Sequence, residues 1–528
     1  MADCWWESSV GYQIYLKSFY DGNGDGVGDL VGVTKKLDYI KSLGVDFIWI
    51  SPFYVSPMED NGYDVADYFE VSPEFGTKAD LFNLINQAHK KGLKILIDLV
   101  INHTSRDNNW FKKSENKESG FEDFYYWADG KLKNGKLNPP NNWQSFFSGP
   151  AWTFSEKRNQ FYLRIFSSGM PDINYESEMA MSEMQRVILY YSSLGVDGFR
   201  VDAVSHIGKA NLNHNCCKKH YYRPFSNNKK THLYLKKFNE LFSKNNLFTM
   251  GELGGNPNMG DIKKYLTGEL NAVFTFEQVS AFGEDGKINK SLLLKSLKRK
   301  LKTSEFGGLS ALFYFNHDYK RLVSAVGGEN DPLQAAVCAM GLMYFLKGVP
   351  VIYNGEEIGM TNGDFETIED FEDVNAKMCY ENSANKAETL TKLKRESRDN
   401  ARTMFQWDDT LNAGFSEVKP WFAVNSNFNK KNVKTEEKDE FSVLNLYKKI
   451  IAERKNCAQI ISGAKYKFFR RGDVVWYVAK SPKGNIKVTA NLGAREQNVA
   501  ASGTLIFTNS KNVSGKILSA YEIRIERS

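Results

Sequence analysis

Eight short apolar or β-branched runs, with helical patterns between several of them, constrain this chain more than any other feature. They are Tyr12–Phe19, Phe47–Pro52, Lys94–Val100, Gly198–Ala203, Leu247–Leu253, Ala272–Glu277, Ala311–His317 and Pro350–Glu357. Helical patterns stand near Thr34–Ser42, Lys78–Lys91, Leu292–Lys302 and Pro332–Leu346. A strand–helix alternation that reaches eight strands predicts a (β/α)8 barrel rather than an open doubly wound sheet.

At 528 residues the chain exceeds what one core normally supports, so appendages are expected. The gap between the third and fourth strands, about Asn102–Met170, is too long for a plain loop and is rich in Trp, Tyr, Phe, Asn and Pro. It predicts a subdomain overhanging one face of the barrel. Short alternating strands from Ile460 onward predict a closing antiparallel β domain. The expected division is residues 1–103 and 171–455 for the barrel, 104–170 for the inserted subdomain and 456–528 for the C-terminal domain. Asn425–Asp439 reads as polar surface, and a helix is expected near Phe441–Arg454. A second long loop, Gly208–His232, holds Cys216, Cys217, His214, His220 and His232. Its spacing is irregular and adjacent cysteines rarely share one zinc, so a polar loop on the acceptor side is expected there.

Composition narrows the function. A net charge of +6 with scattered lysines demands neither nucleic acid nor an anionic membrane, and no segment has the apolar length of a membrane span. The six cysteines include no CxxC, and the first residues lack an apolar signal core, which points to a cytoplasmic protein. Aromatic residues, at 14%, suit sugar-stacking clefts as well as packing. There is no Gly-rich phosphate loop, dinucleotide fingerprint or HExxH, so no organic cofactor is expected.

The charges sit where a barrel would gather them. In GFRVDAVSH (Gly198–His206), Arg200 and Asp202 are two residues apart and leave the same strand face. Taken alone, they could be a structural ion pair. Asp98, however, is expected to end strand three, Glu252 strand five, and His317 and Asp318 strand seven, and such ends ring one mouth of a barrel. Carboxylates converging there cannot all be ionised cheaply, and one raised pKa supplies the acid/base partner of glycosidic cleavage.

DLVINH (Asp98–His103), GFRVDAVSH, TMGEL at Glu252 and FNHD (Phe315–Asp318) stand in that order. Beside them are GYD (Gly62–Asp64), MPDIN (Met170–Asn174), VIYNGEEIGM (Val351–Met360) and SRDNARTMFQWDD (Ser397–Asp409). Over nearly its whole length the chain resembles the α-amylase family (glycoside hydrolase family 13), in its oligo-1,6-glucosidase and α-glucosidase branch. The resemblance implies Asp202 as nucleophile, Glu252 as general acid/base and Asp318 as the carboxylate that holds the distorted sugar. It also implies that Asp64 and Arg402 grip the terminal glucose and make the enzyme exo-acting. Tyr63, His103, Phe166, Arg200 and His317 would contact or support the same ring.

The resemblance further implies a structural Ca2+ in the loop DGNGDGVGD, held by Asp21, Asn23, Asp25, the Val27 carbonyl and Asp29. An EF-hand is excluded because Gly32 stands at its twelfth position. In the family the residue after the nucleophile accompanies linkage preference, and Ala203 implies α-1,4 cleavage of maltose and short malto-oligosaccharides. An oligo-1,6-glucosidase, a sucrose- or trehalose-type hydrolase and a transglucosylase are the alternatives. A catalytically inactive transporter-accessory protein on the same barrel is the alternative of another class. Met170 replaces the usual Gln, and Tyr319, Lys320, Ala325 and Met404–Phe405 also depart from the family pattern, which bears on acceptor selectivity. A small α-glucoside substrate, no membrane or nucleic-acid partner and a monomeric state are expected.

Overall fold

The computed structural model describes residues 4–147, 149–283, 286–327, 331–500 and 502–528. Eight parallel strands close into a barrel: β1 (Gly11–Ile14), β2 (Phe47–Ile50), β3 (Lys94–Val100), β4 (Gly198–Asp202), β5 (Phe248–Glu252), β6 (Ala272–Phe274), β7 (Leu309–Leu312) and β8 (Val349–Tyr353). β1 pairs with both β2 and β8, which closes the ring. The runs are almost wholly apolar because helices cover their outer faces while side chains fill the lumen. Those helices include α1 (Lys78–Lys90), α2 (Glu178–Ser193), α3 (Lys229–Lys244), α4 (Lys290–Thr303) and α5 (Pro332–Tyr344). A Thr77/Asp80 capping box starts α1, and the Ser177 side chain caps α2.

The lumen carries a separate apolar cluster that includes Phe47, Trp49, Leu96, Phe248, Met250 and Phe274. These residues alternate along β2, β3, β5 and β6, and the same alternation carries on to Asp98, Asp202 and Glu252 higher in the barrel. Apolar floor and charged mouth are thus written on one face of each strand. Gly198 is required at the floor, since a Cβ there would lie 2.1 Å from the Phe248 carbonyl oxygen.

Within residues 104–170, Trp127–Ala128, Trp152–Ser155 and Gln160–Leu163 form an antiparallel sheet. Its aromatic core includes Trp143, Trp152 and Phe161 and takes in Phe225 from the loop after β4. That loop is therefore partly apolar packing rather than a wholly polar segment, and His232 belongs to α3, bonded to Glu269 at 2.8 Å. Asn425–Asp439 also differs from the expected surface run: Asn425, Asn432, Val433 and Glu436 are buried, and Glu436 accepts from the Val443 amide. β7 ends at Leu312, so His317 and Asp318 lie on the loop beyond it, not on the strand.

After α6 (Val374–Glu381), α7 (Asp399–Arg402) and α8 (Val443–Asn456), a five-stranded antiparallel sheet closes the chain. Its strands are β9 (Lys465–Arg471), β10 (Val474–Ser481), β11 (Gly484–Asn491), β12 (Thr504–Thr508) and β13 (Ile523–Arg527), in the order β9-β10-β11-β13-β12. Among the described residues no disulfide is formed, and no helix is long and apolar enough to cross a membrane.

Candidate active site

Arg200 is the hub of the barrel mouth. Parallel register sets it beside Asp98 of β3, and strand alternation sets Asp202 on the same face. Its Nη1 donates to Asp98 Oδ1 and Asp202 Oδ1, each at 2.6 Å, and its Nη2 lies 3.0 Å from Glu252 Oε2. One buried guanidinium thus faces three carboxyl groups. Burial pushes Asp202 and Asp98 above the usual carboxylate range, Arg200 pulls them back, and Glu252 adds to the rise. Asp98 does not end its strand as expected. It sits inside β3, wholly buried, with Trp49 Nε1 donating to it at 2.8 Å and the Tyr63 hydroxyl at 3.2 Å. Its part is to hold Arg200.

Ala203 follows Asp202 in the left-handed region, at φ 45° and ψ 28°, and this turn aims its amide at Glu252 Oε2, 3.0 Å away. Across the mouth, Asp318 meets His317 Nε2 at 3.3 Å and Arg398 and Arg402 at 3.4 Å each. Burial pushes Asp318 up, but His317, the two arginines and Arg200 outweigh it and hold the carboxyl well below its usual range. His317 is held down to about 3 by burial and is neutral at neutral pH. Gln13 contacts its Nδ1 at 2.7 Å, the Tyr63 hydroxyl meets its Nε2 at 2.9 Å, and the Tyr63 ring stacks on it at 5.4 Å.

These groups surround a cavity of about 230 Å³. Asp202, Glu252, Asp318, Tyr63, His103, Phe166, Met170, Ala203 and His317 line it, together with Asp60, Phe147, Asn375 and Arg398, which were not singled out in the sequence. The volume and mixed lining suit a single sugar ring. A larger cavity of about 430 Å³ opens among Trp6, Gly307 and Arg454, beside the N-terminal ends of the strands. It lacks the converging carboxylates, and barrel enzymes work at the other face, so size does not decide the site.

Asp64 and Arg402 do not line the cavity. Asp64 is fully buried and turned into its own loop, accepting from Ser56 Oγ at 2.8 Å and from the amides of Glu59 and Asp60 at 2.9 and 3.1 Å. Arg402 is spent on the His317 carbonyl, 3.1 Å away, and on Asp318, and does not line the cavity. Residues four positions earlier, Asp60 and Arg398, line it instead. Arg398 Nη2 bonds Asp60 Oδ1 at 3.0 Å and Asp373 Oδ1 at 2.5 Å, and both Asp60 and Arg398 line the cavity.

The Asp21–Asp29 loop is closed on itself. Asp21 accepts from the amides of Gly24 and Gly26 and from Ser416, Asp29 from those of Gly22, Asn23 and Gly32, and Asn23 bonds Asp25. The oxygen donors would suit a hard cation, and Asp21, Asn23, Asp25, Asp29 and the Val27 carbonyl are the groups that would hold one, while the described residues hold no cluster of three or more His, Cys, Asp or Glu able to bind a metal.

The site makes a pH prediction. With His103 and His317 both held near 3 by burial, neither sets an acid limb in mildly acidic solution. A nucleophile at Asp202, raised by burial, would have to lose its proton first, so on that reading kcat/KM is expected to fall as pH drops through the raised value. The limb is expected above the ordinary Asp value of about 3.9. A profile flat down to pH 4 would contradict it.

The sequence model described as the α-amylase catalytic domain matches residues 13–463. The chain belongs to the α-amylase family. Among curated relatives of this α-amylase family chain, the oligo-1,6-glucosidase of Parageobacillus thermoglucosidasius is 40% identical over 88% of this chain and 86% of its own length. The glucan 1,6-alpha-glucosidase of Streptococcus pneumoniae is 37% identical over 98% and 96%. Of solved structures, the trehalose-6-phosphate hydrolase of Bacillus licheniformis superposes with a TM-score of 0.92 at 34% identity, covering 99% of this chain and 100% of that one. This family member is a glycoside hydrolase on a closed eight-stranded barrel.

Proposed function

We propose that the protein is a retaining, exo-acting α-glucosidase that removes single glucose units from short α-1,6-linked gluco-oligosaccharides. Asp202 and Glu252 at neighbouring nitrogens of one guanidinium, with Asp318 across a sugar-sized cavity, carry this reading. Asp202 would attack the anomeric carbon while Glu252 gives its proton to the departing oxygen, and Glu252 would then take a proton from the water that frees α-glucose. Such chemistry needs the two carboxyls about 5–5.5 Å apart. The Asp60–Arg398 pair forms a charged wall against the terminal hydroxyls, which supports exo action. The α-1,4 preference rested on Ala203 alone, and the names of the relatives favour the 1,6 alternative instead.

Initial rates on isomaltose, maltose, trehalose and sucrose, with the product anomer followed by NMR, test this. Isomaltose is expected to lead by at least about tenfold, with α-glucose appearing first. Maltose in the lead would restore the α-1,4 reading, and β-glucose would remove retention. Arg398→Ala unpairs Asp60 and loosens Asp318, and is expected to lower kcat/KM about 100-fold. An unchanged kcat/KM would take the charged wall out of the site.

A further inference from the structure

Lys209 is fully buried at the junction of three segments. Its Nζ lies 2.6 Å from Asp172 Oδ2, in the segment returning from the inserted subdomain, and 2.9 Å from Asn102 Oδ1, just past β3. It also donates to the His206 carbonyl, beyond β4. An ammonium only donates, so the oxygen of the Asn102 amide must face it, and the amide nitrogen must face the other way. That nitrogen lies 3.2 Å from His103 Nδ1. A donor there requires Nδ1 to accept, which puts the ring proton on Nε2. His103 lines the sugar-sized cavity, and its Nε2 has no partner among the described residues.

We infer that Lys209 is a positioning residue: acting through the Asn102 amide, it fixes the tautomer in which His103 offers an Nε2–H donor to a substrate hydroxyl. Neither Lys209 nor Asn102 lines the cavity. Burial and the Lys209 charge both disfavour an imidazolium, so the donor is a neutral one. Its use by a sugar rests on the glucosidase reading, but the tautomer itself does not.

The test therefore reads the tautomer without substrate, by 15N NMR of His103 in the full chain, alongside kcat/KM. In the natural protein the expected spectrum has Nε2 protonated and Nδ1 bare. Asn102→Asp, nearly isosteric, can only accept, so it is expected to move the proton to Nδ1 and to lower kcat/KM at least tenfold. Lys209→Met removes the donor on the amide oxygen and leaves Asp172 as the remaining partner of the amide, and is expected to give mixed tautomers with a similar loss. A proton on Nδ1 in the natural protein, drawn by the Tyr63 carbonyl beside the ring, would overturn the inference. So would an Asn102→Asp protein that folds with its tautomer and kcat/KM unchanged. If Lys209→Met fails to fold, the Asn102→Asp comparison still decides. A natural protein with the Nε2 proton but no glucosidase activity would sink the functional reading alone.

Discussion

Asp202→Asn is expected to lower kcat on an α-glucoside by at least about 10⁴-fold and to leave the unfolding midpoint unchanged or slightly higher. The amide has nearly the carboxylate's shape and keeps an oxygen for Arg200 Nη1, so packing at the end of β4 survives. What it lacks is the charge with which the proposed nucleophile would form the covalent bond. Losing that charge also leaves Arg200 with two carboxyls to balance instead of three, buried Asp98 and half-buried Glu252, which relieves repulsion rather than adding it. Steady-state rates and a thermal scan on one preparation separate the two effects. A variant within 100-fold of the natural rate would mean that Asp202 is not the nucleophile. A variant that unfolds many degrees earlier would mean that it serves mainly as a structural partner of Arg200.

Arg200→Met carries the second large effect, and it falls on stability and activity together. Removing the guanidinium strands Asp98 in the barrel without a cation, and breaking a buried pair in this way costs about 3–5 kcal/mol. Asp202 and Glu252 lose their common anchor at the same time. Activity is expected to vanish, and the denaturant midpoint to fall sharply. Adding Asp98→Asn removes the stranded charge, so the double variant is expected to regain much of the stability and none of the activity. Denaturation curves of the three proteins check this, since recovery confined to stability is the mark of a structural Asp98 and a functional Arg200. A single variant as stable as the natural protein would refute the buried-hub description.

The barrel was legible because strands buried on both sides must be apolar throughout, and KILIDLV and FIWI admit little else. Strand ends were less legible. β7 stops at Leu312 although Phe313–Phe315 continue the apolar pattern, so apolarity alone carried the expected strand too far, to His317. The charge cluster at the barrel mouth could be read because Arg200 and Asp202 share a strand face and their partners come from adjacent strands. The charged wall could not. Asp60 and Asp64 stand four apart, as do Arg398 and Arg402, and nothing in sequence spacing says which of each pair turns outward. That choice is made by Ser56 and the amides of Glu59 and Asp60, which capture Asp64, and by the His317 carbonyl, which captures Arg402. Phe147 and Asn375 enter from separate loop and helix segments with no local signature. In the Asp21–Asp29 loop the alternating oxygens that suggest a cation also accept from the tight turn's own amides, so one pattern serves two ends.

The most direct measurement is to trap the glucosyl intermediate. Incubation with a fluorinated glucosyl fluoride, which forms the ester faster than it hydrolyses, followed by peptide mapping, places the sugar on a side chain. Label on the peptide carrying Asp202, absent from Asp202→Asn, is the expected result. Label on Glu252, or no label from a protein that releases β-glucose, would contradict it.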